Sequence, residues 1–139
     1  MRVLDNLVPA KVFYYFEELC NIPHGSTNTK AISDYCVNFA KERGLAYHQD
    51  AENNIIILKN GSKGYEDSKP VIIQGHLDMV CEKEADCTID FEKDGLSLAI
   101  DGDYIYAEGT TLGGDDGIAV AMALAILDDD TLEHPPIEA

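Results

Sequence analysis

The apolar run Val71-Ile72-Ile73 is the feature that most constrains the fold of this chain. Consecutive β-branched residues without polar alternation are typical of a strand that is buried on both faces of a sheet. Such a strand needs helices to cover the sheet, and helical periodicity is present on both sides of it in the sequence. We therefore expect an α/β fold, in which helices pack on a mixed sheet.

Apolar residues recur at helical spacing in three segments. Pro9 opens the first, which ends before Pro23, and the second runs from about Thr29 to Arg43, with Gly44 directly after it. The third segment, Ile118 to Leu127, is rich in Ala and Leu. These patterns predict three helices.

Strand-like segments lie between and beyond these helices. Leu45 to Gln49 and Asn54 to Lys59 are candidate strands, and Leu96 to Ile100 with Tyr104 to Ala107 reads as a hairpin. His134 to Ala139 resembles the approach to another strand. A chain of 139 residues has the usual length of one domain, so we expect residues 1–139 to form a single domain. We also expect it to be a truncated piece of a larger protein.

Charge excludes several classes of partner. The chain has 10 Lys and Arg residues against 26 Asp and Glu residues, a formal net charge of −16. This charge repels nucleic acid and anionic membranes, so neither is expected as a partner. No apolar run approaches the roughly 20 residues that span a bilayer, and the N-terminus lacks the apolar stretch of a secretory signal. We therefore expect a cytoplasmic protein with free thiols.

The first chemically informative motif is Gln74-Gly75-His76-Leu77-Asp78, directly after the apolar strand. Residues two apart on an extended chain point the same way, so His76 and Asp78 share a face. The end of a strand in an α/β sheet faces the usual ligand crevice. A neutral imidazole binds Zn²⁺ well, and a nearby carboxylate orients its ring. A simple hydrogen bond that ends the strand fits this spacing equally well.

The second motif is Gly113-Gly114-Asp115-Asp116-Gly117, which leads into the third helix. One of the two acids fits an ordinary helix N-cap. A second adjacent acid, after two glycines that permit unusual backbone angles, exceeds what a cap requires. The sharper interpretation is a carboxylate that bridges two metal ions.

Together these motifs carry a resemblance to a known family. The segments 74–81 (QGHLDMVC), 110–123 (TTLGGDDGIAVAMA) and 22–26 (IPHGS) resemble the aminoacyl-histidine dipeptidases. These enzymes are part of the dinuclear-zinc exopeptidases related to aminoacylase and glutamate carboxypeptidase. The resemblance implies that the chain is the N-terminal part of a zinc-exopeptidase catalytic domain.

The resemblance also implies roles for individual residues. His76 matches the family's first metal ligand, Asp78 the catalytic acid that holds its ring, and Asp115 the carboxylate that bridges two zinc ions. Asp116 follows without a ligand role, and the peptide bond between Asp115 and Asp116 is expected to be cis. The family's Glu-Glu pair, its further acidic ligand and its distant histidine would lie beyond Ala139.

The activity implied by the resemblance is metal-dependent hydrolysis of short peptides, above all aminoacyl-histidine dipeptides. Two Zn²⁺ ions, or Co²⁺ or Mn²⁺ in their place, would activate a bridging water. The partner would be a small peptide substrate, and the full-length enzyme would be a homodimer. Because the general base and other ligands are missing, we expect this chain alone to be inactive.

Two rival interpretations remain. Residues 90–101 nearly fit an EF-hand calcium loop, but Glu92 and Asp101 depart from its pattern and the flanking segments alternate as strands. The other rival is a non-catalytic relative that keeps the fold and binds a ligand or partner.

Some polar residues are expected to have no special role. His24 is interpreted as an exposed loop residue, His48 as a solvated residue of an edge-like strand, and His134 as a histidine without a partner. The acidic run Asp128 to Asp130 is interpreted as a solvated helix end that adds no stability, because its charges lie at the unfavourable end of the helix dipole.

Overall fold

The computed structural model describes residues 2–139 and confirms the predicted mixed α/β fold. In chain order the elements are α1 (Ala10–Cys20), α2 (Lys30–Glu42), β1 (Ala46–Gln49), β2 (Ile55–Lys59), β3 (Val71–Ile72), β4 (Leu98–Asp101), β5 (Tyr104–Ala107), α3 (Gly114–Leu127) and β6 (Ile137–Glu138). Each lies within a few residues of its predicted position. No helix among residues 2–139 combines the length and the apolar character needed to cross a bilayer.

The main sheet has four strands in the order β1-β2-β6-β3. β1 and β2 form an antiparallel pair, β6 is antiparallel to β2, and β3 is parallel to β6. The C-terminal segment forms a strand, as its sequence predicts, and this strand lies in the middle of the sheet. β4 and β5 form a separate antiparallel hairpin.

The core lies between the helices and one face of the main sheet. Its buried side chains recur at helical spacing along all three helices, which is how a helix presents one continuous apolar face. They include Phe16, Leu19 and Cys20 from α1, Ile32, Cys36 and Phe39 from α2, and Ala121, Leu124 and Leu127 from α3, with Ile57 and Ile137 from the sheet.

A glycine lets α1 and α3 approach closely. A Cβ atom at Gly117 would lie 3.3 Å from the ring of Phe16, which is tight for a carbon contact. The absence of a side chain at this position therefore sets the distance between the two helices near the start of α3.

The prediction that β3 is buried on both faces is wrong. Val71 is 48% exposed and Ile72 is 72% exposed, and only Ile73, just beyond the strand, packs against the core. β3 is the edge strand of the sheet and is hydrogen-bonded to β6 alone. Among residues 2–139 no element covers the side of the sheet to which Ile72 points.

The expectation that Asp128 belongs to a solvated helix end is also wrong. Arg43 Nε donates a 2.5 Å hydrogen bond to Asp128 Oδ1, and Lys11 Nζ lies 3.1 Å from Asp128 Oδ2. The Arg43 guanidinium also donates to the hydroxyl of Tyr15. Burial alone would raise the pKa of Asp128, but the hydrogen bond from Arg43 and its other polar partners lower it below the usual range. This cluster joins the end of α3 to α1 and α2.

Replacing Asp128 by Asn should lower the free energy of unfolding by about 1–3 kcal/mol, because hydrogen bonds to charged groups are lost. The folded-state pKa of Asp128 is depressed, so its contribution is present above the unfolded pKa of about 3.9. It is lost as the pH falls through the folded pKa. Urea unfolding of both proteins at neutral pH and in acid measures the difference and its loss.

The matched control for this experiment is Asp67→Asn, in an exposed loop between β2 and β3. This change should leave the unfolding curve within about 0.5 kcal/mol of the wild type. Equal stability of Asp128→Asn and wild type at neutral pH would show that the cluster does not stabilise the fold.

Candidate metal centre

The irregular first residues of α3 bring Asp115 towards the segment that follows β3. Gly113 has a φ of 72°, a left-handed conformation that glycine adopts readily. Asp115 and Asp116 have non-helical backbone angles, and the peptide bond between them is cis, which confirms the expectation from the family resemblance. The regular helix starts only after this pair, close to the predicted start at Ile118.

The three residues singled out by sequence lie together. His76 Nε2 is 3.0 Å from Asp115 Oδ1, although the two residues are 39 positions apart. On the other side of the ring, His76 Nδ1 is 2.9 Å from the backbone carbonyl of Asp78 and 3.1 Å from its Oδ1. The imidazole thus lies between two carboxylates from different parts of the chain.

This arrangement decides which ring nitrogen can act as a ligand. Both groups that face Nδ1 are hydrogen-bond acceptors, so Nδ1 carries a proton and donates to Asp78. In the neutral ring the lone pair is then on Nε2, the atom that faces Asp115. The geometry orients Nε2 and a carboxylate oxygen towards the same point.

The electrostatics of the site favour a cation there. The hydrogen bond with Asp115 raises the pKa of His76 most strongly, with Asp78 adding to the rise, while slight burial opposes it. The pKa of Asp78 is lowered, first by the hydroxyl of Ser26 and also by the imidazole of His76. A proton on Nε2 satisfies Asp115, and a metal ion between the two atoms would satisfy it in the same way.

The donor set fits zinc. An imidazole nitrogen and a carboxylate oxygen are both common zinc ligands, each at about 2.0–2.2 Å, so their 3.0 Å separation is compatible with one shared ion. The side chains are open to solvent, with His76 48% and Asp115 95% exposed. No cluster of three or more His, Cys, Asp or Glu placed to hold a metal occurs within residues 2–139. His76 and Asp115 would therefore supply only some of the protein ligands that a catalytic zinc ion needs.

Two neighbours that the sequence reasoning missed complete the local structure. Ser26 Oγ donates a 2.6 Å hydrogen bond to Asp78 Oδ2, across 52 positions of the chain. The backbone N–H of His76 points to Asp116 Oδ2 at 3.3 Å. A Cβ at Gly75 would lie 2.9 Å from this same oxygen, so glycine is needed for the approach. The sequence did mark both residues, Ser26 within the segment 22–26 and Asp116 as the second acid of the pair. Spacing along the chain does not reveal the contacts that they make.

His24 is buried rather than exposed, which corrects the interpretation from sequence. Only 5% of it is accessible, its Nδ1 faces the carbonyl oxygen of Ile22, and its own carbonyl accepts from the N–H of Met79. Burial lowers its pKa. His134 is buried too, and its Nδ1 lies 2.8 Å from the carbonyl oxygen of Pro135, so the expectation that it lacks a partner is also wrong. His48 is exposed, as expected.

A cleft of about 570 Å³ opens beside the site. His76, Asp78 and Ser26 lie along its wall, while Ile57 and Leu124 are among the apolar residues further in. His76, one of the two candidate ligands, therefore borders a space large enough for a small molecule.

The structure does not support the EF-hand interpretation. Residues 104–107, just after the 90–101 loop, form strand β5, which pairs with β4, whereas an EF-hand requires a helix there. The carboxylate of Asp90 is bound by the ammonium of Lys93 and by the N–H of Glu92. The loop is held by its own residues.

The chain shares sequence with a known dipeptidase. It is 43% identical over 138 residues to the cytosol non-specific dipeptidase of Escherichia coli (strain K12). The match covers 99% of this chain and 28% of the dipeptidase, so the chain spans under a third of that relative's length. A search of family models found no match.

Solved structures of peptidases share the fold of this chain. The aminoacylhistidine dipeptidase from Vibrio alginolyticus superposes with a TM-score of 0.94 at 39% identity, over 97% of this chain and 28% of that chain. A tripeptidase from Staphylococcus aureus (TM-score 0.70, 21% identity) and aminopeptidase PepT from Bacillus cereus (0.69, 18%) share the fold, each over 92% of this chain and 34% of its own. The resemblance to aminoacyl-histidine dipeptidases is thus confirmed in sequence and in fold.

The backbone at Gly113 should be essential to this arrangement. Replacing Gly113 by Ala imposes the left-handed conformation on a side chain, at a cost of about 1–2 kcal/mol. The new Cβ would also lie 3.0 Å from Met79 Sδ and 3.1 Å from Met79 Cβ. We expect a loss of unfolding free energy that exceeds the conformational cost alone, measured by urea denaturation.

Gly44→Ala is the matched control, because Gly44 has a φ of 64° and open space around its Cβ position. It should show the conformational cost without the contact. If both variants lose the same stability, the approach of Met79 to Gly113 has no energetic consequence.

Proposed function

We propose that the protein to which this chain belongs is a metal-dependent peptidase that hydrolyses short peptides. The observation that carries the proposal is the 3.0 Å approach of His76 Nε2 to Asp115 Oδ1, with Asp78 behind the ring. The 43% identity to a dipeptidase supports the same reaction class. Aminoacyl-histidine dipeptides are the proposed substrates, by resemblance to the aminoacyl-histidine dipeptidases.

Each residue has a distinct role in this proposal. His76 Nε2 and the carboxylate of Asp115 are the groups of this chain that would hold zinc. Asp78 holds the proton of His76 Nδ1, which fixes the ring and makes Nε2 a better donor. Zinc bound there would polarise the scissile carbonyl and lower the pKa of a bound water towards about 7. Co²⁺ or Mn²⁺ are further candidates for the same ligands.

The chain by itself should not turn over substrate. A catalytic zinc normally has three protein ligands and a water, whereas residues 2–139 bring together His76 and Asp115. A general base, whose proton transfer is typically worth about 10² to 10⁴ in rate, is also needed. The proposal assigns that base and the remaining ligands to sequence beyond this chain.

Location and assembly are further parts of the proposal. The relative named as a cytosol dipeptidase supports a cytoplasmic location. A small peptide is the proposed partner, and a homodimer is the proposed assembly of the full-length enzyme.

Release of histidine from an aminoacyl-histidine dipeptide tests the activity. The complete protein should release histidine with zinc present and stop when a chelator is added, while the 139-residue chain should release none. Chelator-sensitive turnover by the chain alone would contradict the proposal that it lacks the remaining metal ligands and the general base. A complete protein that stays inert with zinc would favour the non-catalytic relative.

Replacing Asp78 by Asn in the complete protein should reduce kcat by about 10- to 100-fold, the usual effect of losing the partner of a metal-binding histidine. The backbone carbonyl of Asp78 still accepts from His76 Nδ1, so the ring should keep its orientation and lose only the negative charge behind it. Steady-state kinetics measure the loss, and circular dichroism checks the fold. Asp67→Asn, on an exposed loop, is the control and should be neutral. A wild-type kcat in Asp78→Asn would show that the Asp78 carboxylate does not contribute to catalysis.

A further inference from the structure

The loop that contains residues 22–26 runs beside the segment of the candidate metal centre. Met79 N–H donates to the carbonyl of His24 at 3.0 Å, and Gly25 and Met79 form a parallel bridge. A Cβ at Gly25 would lie 3.0 Å from Cys81 Sγ, so a glycine permits this approach. These backbone contacts help to hold the loop in place, and they set Ser26 opposite Asp78.

The two carboxylate oxygens of Asp78 have different partners, and one of these partners is the hydroxyl of Ser26. Ser26 Oγ donates to Oδ2 at 2.6 Å, while Oδ1 accepts from His76 Nδ1 at 3.1 Å. The other acceptor near Ser26 Oγ is the carbonyl of Met79 at 3.5 Å, which is long for an O–H donor. The proton of the hydroxyl is thus committed to the Asp78 carboxylate.

Without this contact the carboxylate would be poorly restrained. The side chain of Asp78 is 38% exposed, so water can replace His76 as the partner of Oδ1 when the carboxylate rotates. A charge-assisted O–H···O⁻ bond is short and strong, and it fixes the rotation of the group that accepts it. This restraint keeps Oδ1 of Asp78 in contact with the imidazole of His76.

We propose that Ser26 is a positioning residue of the metal centre, which holds Asp78 so that its Oδ1 stays on the imidazole of His76. The proposal rests on the proposed function, because its consequence is a stronger bond from His76 Nε2 to a metal ion. Ser26 acts through Asp78 and does not itself bind the metal.

Zinc affinity in a double-mutant cycle tests this role. The zinc dissociation constant of the complete protein is measured by competition with a chromophoric chelator for Ser26→Ala, Asp78→Asn and the double variant. Ser26→Ala should weaken binding about tenfold, within the range known for partners of metal ligands. In the Asp78→Asn background the same change should have little further effect, because the two groups act as one unit.

Two further variants separate positioning from a general structural effect. Ser26→Thr keeps the hydroxyl and should restore the wild-type affinity. Ser68→Ala removes a hydroxyl from an exposed loop and should change nothing. A wild-type affinity in Ser26→Ala, or an equal loss with Asp78 and with Asn at position 78, would overturn the proposal.

A measurement without metal distinguishes the failure of this inference from the failure of the proposed function. In the 139-residue chain labelled with ¹⁵N-histidine, Ser26→Ala should shift the Nδ1 resonance of His76, and Ser26→Thr should leave it in place. An unchanged resonance overturns the positioning role whatever the metal does. If wild type and Asp115→Asn bind zinc equally, the proposed metal centre is wrong, and the metal consequence of Ser26 falls with it.

Discussion

The packing of α3 against α1 is the constraint on which the rest of the structure depends. Gly117 allows the ring of Phe16 to approach the start of α3, and the Asp128 cluster ties the end of α3 to α1 and α2. Lys59 adds a further tie from β2, because its ammonium donates to the carbonyl of Leu127. With both ends of α3 anchored, the turn that carries Asp115 has a fixed place relative to β3.

Charge explains why this fixed place favours a cation. His76 contacts three carboxylates: Asp78 and Asp115 lie on either side of its imidazole, and Asp116 lies 3.3 Å from its backbone N–H. In a chain with a net charge of −16, such a group of acids is stabilised by positive charge nearby. A protonated ring gives one positive charge, and a divalent ion on Nε2 would give two. The raised pKa of His76 and the proposed metal binding thus have the same physical origin.

Sequence patterns predicted the helices and the hairpin, and residue type and spacing singled out the two motifs. Each of these features depends on residues close together in the chain. The exposure of Ile72 was not predicted, since an apolar run reports a preference for burial and not the elements available to cover it. The hydrogen bond from Arg43 to Asp128 was missed for a related reason. Arg43 is 85 positions away, and the helix-dipole argument considers only the helix that carries Asp128. The contact of Ser26 with Asp78 likewise depends on the fold.

The asymmetry of the imidazole contacts gives the clearest indication of how the site would be completed. The Nδ1 side is closed, because Nδ1 faces both the carbonyl and the carboxylate of Asp78. The second oxygen of that carboxylate accepts from the hydroxyl of Ser26. The Nε2 side is open, because Asp115 is 95% exposed and only one of its oxygens faces the ring. A tetrahedral zinc ion bound to His76 and Asp115 would still lack a protein ligand and a water. The residues of this chain therefore prepare and orient one side of the proposed centre, and the ligands that would complete it must approach from the side of Asp115.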